Sequence, residues 1–126
     1  MRTYTPRRQS SRWLNGDCPR GVLAIYDNGG DRNRRSGSLD RYMVFYADTD
    51  TDHHGDAWVT YLGTSADPGS FGGHGQMKAH EVAAYRYRVR HQACRWTDLP
   101  EAVRRIVQQD CMQIERAVLI EKRLAR

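Results

Sequence analysis

Between residues 48 and 56 the sequence reads DTDTDHHGD, which packs six carboxylate or imidazole side chains into nine residues. Carboxylate oxygens suit hard cations and imidazole suits transition metals. Asp48, Asp50, Asp52 and His53 are therefore the candidate metal ligands, and a metal held there would point to a metal-dependent hydrolase. The run opens like a calcium loop, D-x-D-x-D. Its sixth position, however, is His53 where such loops need glycine, and its twelfth is Val59 where they place a bidentate glutamate. A calcium hand is excluded. A solvated hairpin tip accounts for the same residues without any ion, and no cofactor is expected.

The second chemical group is cationic. Residues 81–91, EVAAYRYRVRH, alternate at their end: Tyr85, Tyr87 and Val89 fall on one side and Arg86, Arg88 and Arg90 on the other. Period two predicts an edge strand with a guanidinium row on its outer face. Such a row fits phosphates or a carboxylate-rich protein surface. With the tyrosines turned inward it lacks the exposed aromatic platform of single-strand binders, which favours an acidic protein partner over nucleic acid. Arg7, Arg8 and Arg12 form a second cationic group near the N-terminus.

Other chemistry has less support. Residues 63–75, GTSADPGSFGGHG, read as a long irregular loop; they lack the Gly-Lys-Ser/Thr ending of a phosphate loop and open no helix. His74, His80 and His91 form a cluster only if the fold gathers them. A Cys94–His91 nucleophile pair has only Arg90 and Arg95 nearby to lower the thiol pKa. Cys18, Cys94 and Cys111 are an odd, scattered set that suits reduced thiols.

The elements that must position these groups follow from hydrophobic pattern and charge. The first 20 residues hold five Arg against one Asp, residues 21–77 four Arg against eight Asp, and residues 78–126 eleven cations against six anions. The ends are thus basic and the middle acidic. Residues 1–20 read as a flexible basic arm and 21–126 as one domain. Gly21–Asp27 reads as a short strand; Val22, Leu23, Ala24 and Ile25 are apolar without interruption, the mark of a strand covered on both faces, and Asn28-Gly29-Gly30 ends it in a tight turn. Residues 39–47 put Met43 and Phe45 opposite Tyr42, Val44 and Tyr46. Residues 57–63 put Trp58, Thr60 and Leu62 opposite Val59 and Tyr61, and the acidic run between makes these two an antiparallel hairpin. Asp98-Leu99-Pro100-Glu101 has the pattern of a capping box. Val103, Val107, Cys111, Ile114 and Val118 then form one helical stripe, on a helix about 39 Å long at 1.5 Å per residue. That is longer than a four-stranded sheet needs, so its far end is expected to meet a second copy, as a homodimer, or a partner.

The expected fold is α+β: a small, mainly antiparallel sheet of about four strands with one long C-terminal helix packed on one face. At 39% hydrophobic residues and a mean hydropathy of −0.81, the chain supports a modest core and no membrane-spanning run.

Five motifs stand in order: Tyr26-Asp27-Asn28-Gly29-Gly30, Asp40-Arg41-Tyr42 leading into Val44-Phe45, Tyr61-Leu62-Gly63-Thr64-Ser65 with Asp67-Pro68, Gly73-His74-Gly75, and Asp98-Leu99-Pro100-Glu101. Over residues 24–110 this series resembles a group of small uncharacterised proteins of bacteriophages and other mobile elements. The resemblance implies action in the cytoplasm of a bacterial host and transfers no catalytic residue. The expected function is non-enzymatic: an accessory protein that binds a host protein, or a protein–nucleic-acid complex, and modulates it, with CRISPR–Cas defence among the candidate targets. Direct nucleic-acid binding through the same arginines is the alternative, followed by the hydrolase.

Overall fold

A computed structural model describes residues 6–29, 40–65 and 72–124. Among these residues the sheet has four strands: β1 (Val22–Asp27), β2 (Tyr42–Thr51), β3 (Ala57–Thr64) and β4 (Gly72–Lys78). Each pairs antiparallel with the next in sequence, in the order β1-β2-β3-β4. Helix α1 (Ala79–Arg88) follows β4 directly; two short 3-10 turns lead to helix α2 (Glu101–Leu124). Among the described residues no helix is long and apolar enough to cross a membrane.

The alternation in β2 separates two cores. Tyr42, Val44 and Tyr46 pack under α2 with Leu62, Trp96, Val103 and Val107. Met43 and Phe45 face the other way and pack under α1 with Val59, Val82 and Tyr85. Strand β1 serves both cores. A shift in its register between Val22 and Ala24 places Leu23 and Ala24 on the α1 side, with Val22 and Ile25 on the α2 side. An extra residue in a strand does this, and it explains why the run carries no polar alternate.

Two expectations fail here, each for its own packing reason. Residues 81–88 are helical, and the fourth strand is the glycine-rich Gly72–Lys78. The Tyr/Arg alternation fits period two, but Ala79, Val82, Tyr85 and Val89 recur at steps of three, three and four. Those four are the buried residues, so the helical stripe decides the outcome. Strand β4 is glycine-rich because β3 crowds it. A Cβ added at Gly75 would lie 2.6 Å from the Tyr61 hydroxyl, so only glycine lets the Tyr61 ring lie across its cross-strand neighbour.

Residues 6–20, expected as a loose arm, run along the outer edge of β1. The Gln9 N–H donates to the Leu23 carbonyl (2.9 Å), the Gln9 side-chain oxygen accepts from the Ile25 N–H (3.0 Å), and Arg8 Nε donates to the Val22 carbonyl (2.9 Å). Cys94 N–H takes the Ile25 carbonyl at 3.1 Å. An edge that would otherwise offer free backbone groups is thereby closed. Trp96 fastens the same segment: its N–H donates to the Trp13 carbonyl (2.8 Å) and its indole to Asp17 (2.7 Å). Residues 1–5 of the expected arm lie outside the described residues.

Helix α2 follows the expected stripe through Val103, Val107 and Cys111, all buried. Asp98 belongs instead to the turn before it, where its carboxylate accepts the Arg95 N–H at 3.1 Å.

Candidate functional site

Three of the five sequence motifs meet in one transverse row of the sheet. Asp27 pairs with Tyr42, Tyr42 with Thr64, and Thr64 with Gly72. Behind this row Asn28 is buried; its amide donates to the Tyr85 hydroxyl (2.7 Å) and to the Asp40 carbonyl (3.4 Å). Asp27 accepts from the Gly29 N–H (2.9 Å) and from Arg41 Nε (3.3 Å). Gly29 sits at φ +70°, where glycine alone is unstrained. The motif side chains thus lock β1, β2 and the end of α1 to one another.

The expected arginine row is divided by the helix. At 100° per residue Arg86 and Arg88 point to nearly opposite sides. Arg86 is half-buried, with Nε donating to the Tyr26 hydroxyl at 3.0 Å. Arg88 and Arg90 are exposed. The Arg88 guanidinium lies 5.6 Å from the Tyr85 ring centre, and that of Arg90 lies 4.1 Å from the Tyr87 ring while donating to the Tyr87 carbonyl at 2.7 Å. Such cation–π contacts hold a charge in place without neutralising it. Among the described residues neither Arg88 nor Arg90 has a carboxylate partner. Tyr87, expected inside, is 67% exposed.

The N-terminal cations have separate roles. Arg8 is committed to the Val22 and Pro19 carbonyls, Arg12 lies 5.0 Å over the Trp13 ring, and Arg7 is exposed. Their segment shares the outer edge of β1 with residues 93–94.

The acidic hairpin occupies the opposite end of the sheet, where Thr51 pairs with Ala57. Asp52 organises its own turn. Its carboxylate accepts the Trp58 indole N–H (2.9 Å), the His54 N–H (2.9 Å) and the Asp56 N–H (3.0 Å). These donors, the Trp58 indole first, hold its pKa below the usual carboxylate range. Asp50 turns to Gln76 (3.3 Å), Asp56 to Lys78 (3.6 Å), and His53 stacks on His54 with ring centres 3.9 Å apart. Among the described residues no three His, Cys, Asp or Glu side chains gather to hold a metal. The side chain of Asp48 lies outside the described residues, as do residues 66–71 of the expected loop.

The remaining candidates do not come together as a reactive centre. Burial, helped by the charges of Asp27 and Asp98, pushes the Cys94 thiol up to about 12, the reverse of what a thiolate nucleophile needs. All three cysteines are free thiols, and Cys111 lies in the core as expected. His80 is 4.0 Å from Glu81, and His91 is exposed in the turn after α1.

His74 leads to an arrangement that sequence reasoning missed. On β4, its Nε2 lies 2.7 Å from Asp110 Oδ2 on α2, and the same oxygen accepts from the hydroxyl of buried Tyr46 on β2. Beside them a cleft of about 290 Å³ is lined also by Thr60, Gln113, Ile114 and Ala117. Asp110 thus ties the edge strand and the sheet centre to the helix and fixes the imidazole orientation. One sequence signal was present: Asp110 lies between Val107 and Cys111 on the apolar side of α2, an uncommon place for a carboxylate without partners.

In comparisons with known proteins, no protein-family model, no curated protein and no solved structure matches this chain.

Proposed function

We propose that this protein works by surface attachment, as an accessory protein of a phage or mobile element that binds an acidic face of a host protein and modulates it. The observation that carries the reading is the end of α1. There Arg88 and Arg90 stand exposed, each set on a tyrosine ring and neither matched by a carboxylate among the described residues. Cations held in advance lose less freedom on binding, and tyrosine and arginine dominate interface hot spots. The mobile-element context, the bacterial cytoplasm and a defence complex such as CRISPR–Cas as target rest on the ordered motif series alone.

Affinity capture from host lysate, with and without nuclease, tests the proposal when wild type is compared with Arg88→Glu/Arg90→Glu. A protein retained through nuclease treatment by the wild type and lost by the variant is the expected result. Equal capture by both overturns the assignment of this patch.

Direct nucleic-acid binding is a second reading, favoured by one observation. The helix turns Tyr87 outward beside Arg90, which supplies an aromatic face that a base could stack on. Retention on single-stranded DNA over a salt series separates the two, since phosphate binding weakens log-linearly with salt.

A further inference from the structure

Helix α2 outruns the body it packs on. Cys111 is its last buried residue, Ile114 is half-buried, and every residue from Glu115 to Leu124 is exposed. These ten residues extend about 15 Å. Within them Ala117-Val118-Leu119-Ile120 are consecutive and therefore point to four different sides of the helix. Val118, Leu119 and Ile120 are 41%, 60% and 51% exposed. A helix that is apolar all round is normally surrounded, and a solvated segment this short gains little from its own propensity.

The flanking charges identify what surrounds it. Glu115 and Lys122 are seven residues apart, so they lie on one side of the helix two turns from each other, with Val118 and Leu119 between them. A parallel copy would set Glu115 against Glu115 and Lys122 against Lys122. An antiparallel copy, related by a two-fold axis passing between residues 118 and 119, sets each Glu115 against the Lys122 of the other chain. Val118 of each copy then meets Leu119 of the other at the centre. We propose that a second copy of this chain docks antiparallel along the free end of α2, forming a two-fold dimer with an apolar centre bracketed by two Glu115–Lys122 pairs. The proposal stands independently of the cationic end of α1.

Sedimentation equilibrium over a concentration series tests it. The expected mass at the upper end is near twice the 14.6 kDa of one chain. Glu115→Lys breaks both pairs and should raise the dimer dissociation constant about tenfold. Adding Lys122→Glu recreates both pairs with reversed sign and should restore the wild-type value. Leu119→Glu should abolish the dimer while far-UV circular dichroism stays unchanged, because the side chain is exposed. A single-chain mass at every concentration overturns the proposal, as does a dimer indifferent to Leu119→Glu. A double reversal that fails to restore association overturns the antiparallel register.

Discussion

Cys94 makes its surroundings measurable. The folded protein holds this thiol near 12 against an ordinary value of 9.0. Above about pH 9 the unfolded chain ionises the thiol while the folded chain keeps its proton. The unfolded state then binds fewer protons, so stability falls as pH rises between the two values, by about 1.4 kcal/mol per pH unit from this group. Urea midpoints taken from pH 8 to 10.5 should decline, and Cys94→Ala should flatten that decline. The same burial predicts that Cys94 escapes alkylation until the protein unfolds. At this scale the sequence was readable where a residue's setting follows from its own stripe, as with Cys111. It was not readable where partners come from three elements, as with Tyr46, His74 and Asp110.

Among the elements, β4 shows how a packing demand can hide a strand. Glycine carries no strand preference, and the need for Gly75 appears only once Tyr61 lies opposite it. Gly75→Ala should cost about 1–3 kcal/mol through overpacking, read from the urea midpoint. Gly73→Ala, which meets nothing within 4 Å, should cost less. Replacing Tyr61 with Ala in the Gly75→Ala background should remove much of the clash. Strands β1 to β3 and α2 were legible in type and order from their apolar runs, but β2 continues to Thr51 through residues expected as hairpin loop, where acidic side chains at the sheet end hide the pairing. Residues 85–90 fit two periods, and only the wider spacing from Ala79 to Val89 separates helix from strand. That misreading carried the arginine row with it: the same residues remain exposed in part, but on a different geometry and with Tyr87 outside.

For the whole molecule, charge segregation in the chain becomes segregation in space. The acidic hairpin and the cationic end of α1 sit at opposite ends of the sheet, which along β2 are about 30 Å apart at 3.3 Å per residue. Residues 6–20 belong to the body rather than to a detachable tail. A chain shortened to begin at Gly21 loses the bonds to Val22, Leu23, Ile25 and Trp96 together with the burial of Leu14. The loss is on the order of 5 kcal/mol, comparable to the stability of a typical domain. Circular dichroism should show the shortened chain largely unfolded, whereas removing a free arm would leave the melting curve unchanged.

The bond between Asp17 and Trp96 joins residues 79 positions apart. During translation the early segment therefore leaves the ribosome long before its indole partner exists. Nascent chains stalled before residue 96 has emerged should be digested readily at residues 10–20, and protection there should appear only as Trp96 docks.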